Sequence, residues 1–258
     1  MAFFHFLHEV CHYFDTGSNW QGGGGIPTLF LRQLYLSGAV VAAASIIGGG
    51  IGILLGHTGR MSLIAVNAAN AFRAVPTLAL LILLVIYPPI SLKWDGFLAA
   101  FIALTVLGIP PILTNAFVGI REVDADVTDA AKAMGLTGLQ VMRRVELPLA
   151  LPFIMTGIRI AAVEVVATST LAAETAYSDL GTPIIAGLNS NEPVEAFAGA
   201  LMVAVLAGMV AIAMGLLMRL VTPAPLRGAG RPTRRSRLNA PTSVVQIRSL
   251  RGPSSAET

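Results

Sequence analysis

Residues 129–148 read DAAKAMGLTGLQVMRRVELP, a polar stretch with two arginines, one lysine and two acids. It lies between two long apolar runs in a chain that is 55% hydrophobic. A charged segment of about twenty residues between such runs belongs in water or against another protein, because hydrocarbon cannot satisfy its polar groups. The order within it is specific. Asp129-Ala130-Ala131 is followed by three residues and Gly135, then by nine residues and Val145-Glu146-Leu147-Pro148.

Local propensities turn this order into a shape. Asp129 to Met134 is alanine-rich and favours a helix, with an acid near its start where the helix dipole prefers one. Gly135 can take a positive φ and end that helix. Leu139 to Leu147 can form a second helix, and Pro148 suits the first turn of the next span. Small residues at Ala130, Ala131, Ala133 and Gly135 allow another surface to approach closely. The prediction is a helix-turn-helix knuckle within a loop spanning residues 119–148.

The rest of the chain sets the context. Only 12% of the 258 residues are charged, and the mean hydropathy is +0.74, a membrane composition. The single cysteine, Cys11, excludes an internal disulfide and a cysteine-rich metal site. The first residues carry no basic region and no cleavage pattern, so the first span is expected to act as an uncleaved signal. The pI of 9.4 is no sign of nucleic-acid binding, because the basic residues cluster at span ends and in the tail.

Five stretches are apolar and long enough to cross a bilayer: 29–55, 62–87, 96–118, 149–173 and 196–219. The second is the poorest, holding Asn67, Asn70 and Arg73 and interrupted by Pro76. The expected fold is all-α, a polytopic membrane helical bundle of about five transmembrane helices. With the N-terminus outside, the inner segments hold Arg60, Arg121, Lys132, Arg143, Arg144, Arg219 and seven tail arginines. The outer ones hold only Arg32 and Lys93. The positive-inside rule then gives N-out and C-in, with 119–148 in the cytoplasm. The domain reading is an external interfacial segment over 1–28, a transmembrane domain over 29–222, and a disordered basic tail over 223–258 beside anionic lipid heads. Gly48, Gly52 and Gly56 recur at four-residue spacing, which lets helices approach; packing within one subunit is the favoured reading over a subunit interface.

The 129–148 pattern resembles the E-A-A-x3-G-x9-I-x-L-P loop of binding-protein-dependent ABC importer permeases, with Asp for Glu and Val for Ile. Further stretches resemble the osmoprotectant branch of that family. Phe72-Arg73-Ala74-Val75-Pro76-Thr77-Leu78-Ala79-Leu80-Leu81 is one, and Val145 to Pro152, Gly157-Ile158-Arg159 and Thr170 to Ala173 are the others. The resemblance runs from about residue 29 to 219. It implies import of glycine betaine, choline, carnitine or proline betaine by ATP-driven alternating access. Asp129, Ala130, Ala131, Gly135, Val145, Leu147 and Pro148 would form the docking loop for an ATP-binding cassette ATPase subunit. A second permease, the same or homologous, and an extracytoplasmic substrate-binding protein would complete the complex in the cytoplasmic (inner) membrane. No phosphate-binding G-x4-G-K-[ST] motif is present, so ATP hydrolysis is expected on a separate subunit, with no cofactor and no catalytic residue here. The chain departs from the branch at residues 172–181: a glycine-rich stretch is expected, and Ala172-Ala173-Glu174-Thr175-Ala176-Tyr177-Ser178-Asp179-Leu180-Gly181 stands there.

Arg73, Arg159 and Glu164 fall inside spans, where charges are costly and face the bundle interior. Both arginines lie about ten residues, or ~15 Å, from the cytoplasmic ends of their spans, and Glu164 lies ~7 Å further outward. Glu164 can pair with either arginine, the favoured reading, or help a cationic solute pass. His5, His8 and His12 share one helical face, and His8 and His12 could hold a metal. Their aromatic neighbours point instead to an interfacial helix, and no metal site is assigned. Two alternatives remain: an importer permease for an amino acid or another betaine-like solute, and an autonomous secondary transporter or channel. The second would need internal repeats or a proton relay, and neither is visible.

Overall fold

The computed structural model describes residues 1–59, 67, 71, 76–86 and 96–221, and among these no strand occurs. Among the described residues, four helices are long and apolar enough to cross a membrane. They are α2 (Ile26–Thr58), α4 (Phe97–Arg121), α6 (Gly138–Thr175) and α8 (Pro193–Val221). Shorter helices are α1 (Ala2–Asp15), α3 (Thr77–Ile86), α5 (Ala125–Ala133) and α7 (Thr182–Asn189). Four of the five expected spans thus appear close to their expected bounds. The second, 62–87, is represented by α3; Arg60, Arg73, Lys93 and the tail 223–258 lie outside the described residues.

α4 is the most buried of the four long helices and α8 the least. α4 stands at the centre because it offers small residues on several faces. Ala100 and Leu104 pack with Leu36, Val40 and Val165 in one core cluster, and Ala116 and Ile120 pack with Ala150 and Ile154 in another. The glycines of α2 sit on α4. A Cβ added at Gly52 would lie 2.5 Å from the Leu113 carbonyl oxygen, and one at Gly56 would lie 2.7 Å from the Ile120 Cβ. Only a hydrogen side chain permits that approach, so the Gly48-Gly52-Gly56 seam serves packing within the subunit. α8 turns Val205, Met209, Ile212 and Leu216 outward, as a lipid- or subunit-facing helix does. The amphipathic α1 lies along α8, with Phe6 and Phe197 in edge-to-face contact at 5.3 Å.

Two long helices each contain a widened π turn, at Ser45–Gly49 in α2 and at Met142–Glu146 in α6. The second has a local cause. Pro148 has no N–H to donate, and its ring presses on the preceding turn; one extra residue in that turn relieves both. Residues 138–175 therefore form one uninterrupted rod in place of the separate loop helix and span that the sequence suggests.

Candidate functional site

Each end of the 124–148 knuckle is fixed by its own side chains. Asp124 caps α5, accepting the Asp126 backbone N–H at 2.9 Å. α5 thus begins four residues before Asp129, which lies inside the helix and not near its start as expected. Asp129 pairs instead with Lys132 at 3.0 Å, on an exposed face. Gly135 has φ of +85°, as expected of a residue that ends a helix. The Leu136 N–H bonds to the Ala131 carbonyl and the Gly135 N–H to the Lys132 carbonyl, the reciprocal pair of a Schellman turn. Thr137 and Gln140 then form a capping box that starts α6, with the Thr137 N–H donating to Gln140 Oε1 at 2.8 Å.

The knuckle has an inner and an outer side. Ala131 and Val141 are buried. Asp129, Ala130, Gly135 and Pro148 are exposed, and Val145 and Leu147 are half-buried. Val127, Met134 and Leu139 project apolar side chains into the open from an otherwise charged loop, Met134 at 75% exposure. Nothing lies within 4 Å of a Cβ built at Gly135, so that point of the surface is clear. Such a surface, with backbone groups satisfied internally and apolar side chains presented outward, is suited to burial in another protein's cleft.

Sequence reasoning missed one contact at the root of the knuckle. The Glu146 carboxylate, inside the widened turn, meets His57 Nδ1 at the end of α2 at 2.6 Å. The Glu146 side chain is only 10% exposed and that of His57 25%, so the bond is sheltered from water. No spacing rule links residues 57 and 146. The capping residues, in contrast, were readable: Asp124 stands just before a helical run, and Thr137-x-x-Gln140 fits the capping-box pattern.

Of the intramembrane residues, Arg159 and Glu164 are not brought together and form no ion pair. Five residues along a helix turn the chain by about 140° beyond a full circle, so the two side chains leave α6 on different faces. Arg159 lies over Gly215 of α8, its Cζ 3.6 Å from where a Cβ would stand. Arg73, the other partner weighed for Glu164, is outside the described residues. Pro76 is exposed and leads into α3, its carbonyl accepting from the Leu80 N–H. Among the described residues no group of three or more His, Cys, Asp or Glu side chains converges as a metal site would require.

Towards the far end of α6, polar groups are enclosed. Gln33 of α2 donates to the Val166 carbonyl at 2.9 Å and accepts from the Leu180 N–H at 3.0 Å. Tyr177 donates to the Arg32 carbonyl at 3.0 Å. Asp179 is fully buried; its Oδ1 accepts from the Gly181 N–H at 2.8 Å, and its Oδ2 has no partner. Burial raises its pKa from 3.8 to about 7, against the opposing hydrogen bond from Gly181. Tyr177, Asp179, Leu180 and Gly181 belong to the 172–181 stretch where the glycine-rich pattern is lacking.

Residues 48–226 match the family described as binding-protein-dependent transport system inner membrane component. The carnitine transport permease protein OpuCB of Listeria monocytogenes is 33% identical over 77% of this chain and 88% of its own length. The glycine betaine/carnitine/choline permease OpuCB of Bacillus subtilis is 32% identical over 76% of this chain and 88% of its own. The choline permease OpuBD of the same organism is 31% identical over 81% and 91%. Among solved structures, a chain of the inward-facing MetNI methionine ABC transporter superposes with a TM-score of 0.66 at 23% identity, covering 75% of this chain and 94% of that one. The fold is thus that of an ABC importer permease, and the chain belongs to the family of binding-protein-dependent transport system inner membrane components.

Proposed function

We propose that this multi-pass membrane subunit imports quaternary-ammonium osmoprotectants, the class that includes glycine betaine, carnitine, choline and proline betaine. In this reading the knuckle lies in the cytoplasm and inserts into a cleft of an ATP-binding cassette subunit. A second permease, the same or homologous, completes the pathway, and an extracytoplasmic binding protein delivers the solute. The complex sits in the cytoplasmic (inner) membrane, with membrane lipids around its apolar faces and no role for nucleic acid.

The observation that carries this reading is the form of the knuckle. Its outer side presents Val127, Met134 and Leu139, while its second helix is continuous with a membrane-crossing rod from Gly138 to Thr175. A displacement imposed by a closing ATPase pair would pass into the span without a flexible joint. The substrate class draws on relatives named for carnitine, choline and glycine betaine, each covered over more than three quarters of this chain.

The test is uptake in vesicles that hold this chain, its partner permease, its ATPase and its binding protein. Radiolabelled glycine betaine, carnitine and choline are offered beside a panel of amino acids. ATP-dependent uptake of at least one quaternary amine supports the proposal. Uptake confined to amino acids, or persisting without ATPase, contradicts it.

A further inference from the structure

α2 and the knuckle touch through a single polar link among the described residues, the 2.6 Å contact between His57 Nδ1 and Glu146 Oε2. Both its partners are held by ordered helix. His57 stands in the last turn of α2, just before Gly59 takes a left-handed φ of +66° and closes the helix. Its other ring nitrogen lies 3.6 Å from where a Cβ of Gly138 would sit, at the first turn of α6. Glu146 belongs to the widened turn that absorbs Pro148, so its carboxylate is held on the rod and not on a loose loop. The rest of α2 is inserted along α4 through its glycine seam, where backbones nearly touch. Sliding α6 therefore drags the end of α2 through this link, or breaks it.

We propose that His57 is a positioning residue that couples displacement of the knuckle to α2, so that one push moves two membrane helices. The chemistry suits a relay. An imidazole N–H on a carboxylate is a charge-assisted hydrogen bond, short and directional, and shelter from water strengthens it. The residues that face outward, Met134 and Leu139, are distinct from this pair, so docking and relay use different side chains. The inference rests on the proposed docking of an ATPase at the knuckle.

The experiment uses the full complex in vesicles, with four chains: wild type, His57→Ala, Glu146→Ala and the double variant. Three quantities are read: ATPase recovered on purification, basal ATP hydrolysis, and radiolabelled quaternary amine taken up per ATP hydrolysed. His57→Ala is expected to retain the ATPase and basal hydrolysis while uptake per ATP falls about tenfold, the scale of one lost charge-assisted bond. The double variant is expected to fall no further than either single one. His57→Asn, whose amide N–H can still reach the carboxylate, is expected to recover part of the coupling, which a mere folding defect in the alanine variant would not explain. Unchanged uptake per ATP in His57→Ala, or single effects that multiply in the double variant, would overturn the proposal. Loss of ATPase from His57→Ala alone would also overturn it, because the residue would then hold the docking surface. A wild-type complex that retains no ATPase contradicts the docking reading itself, and is recognised before any substitution is made.

Discussion

At one end of the α6 span, Met134 and Leu139 stand in the open on a loop whose helix ends are closed by caps. Towards the other end, Gln33 and Asp179 are fully enclosed, and one carboxylate oxygen has no partner. The knuckle keeps its polar groups satisfied and exposes apolar ones, an arrangement that waits for a partner. The enclosed end does the reverse, joining α2, α6 and the 176–181 turn through buried polar contacts. The first arrangement is cheap to hold and gains by association. The second holds only while the helices stay together, and the unpartnered oxygen opposes it unless it carries a proton.

The largest effect expected at the enclosed end is a dependence on pH. Burial raises the Asp179 pKa from 3.8 to about 7. The buried form is then favoured fully below pH 3.8, and this advantage is lost as the pH rises towards 7, by up to about 4 kcal/mol. The neighbouring titratable group is Tyr177, whose own pKa is raised by burial and by Asp179, while Arg32 acts on it in the opposite sense. Melting of the purified protein between about pH 5 and about pH 8 is expected to show a falling Tm in the wild type and a flatter profile in Asp179→Asn. Equal slopes in both chains would remove Asp179 from the account.

Gln33→Leu comes next. It leaves the Leu180 N–H buried without its partner, at about 2 kcal/mol, while the Val166 carbonyl keeps the Ser169 hydroxyl. A substantial drop in thermal stability is expected, with ATPase docking at the far end unaffected. At the knuckle, Gly135→Ala costs about 1 kcal/mol through its φ of +85° alone, since open space surrounds the site. Faster proteolysis between Met134 and Thr137 would register it. The smallest effect belongs to Lys132→Ala: its pair with Asp129 is exposed, and loss below about 0.5 kcal/mol is expected in the same melting assay.

The two ends also differ in how far they could be read from sequence. Hydropathy located four long helices because a membrane span is a local, one-dimensional signal. Gly135 was legible because only a residue without Cβ is at ease at positive φ in a helix-ending turn. The register of α5 was misjudged, since Asp124 was passed over as a cap and Asp129 was assigned the helix start. The continuity of α6 was also missed, because Pro148 looks like a break until a widened turn is found to absorb it. The enclosed end depends on residues far apart in the chain, such as Gln33 with Leu180, and no periodicity connects them. The pairing weighed for Arg159 and Glu164 failed on rotation about the helix, although their levels along it had been considered.

The central claim is that the exposed side of the knuckle receives an ATPase subunit. Its most direct test is recovery of the ATPase with a chain carrying both Met134→Glu and Leu139→Glu, beside the wild type, in the same detergent. Both side chains lie outside the fold, so the membrane helices are expected to retain their melting behaviour. The account predicts that the wild type retains the ATPase and the double variant loses it together with ATP-driven uptake. Equal recovery with transport intact would contradict it.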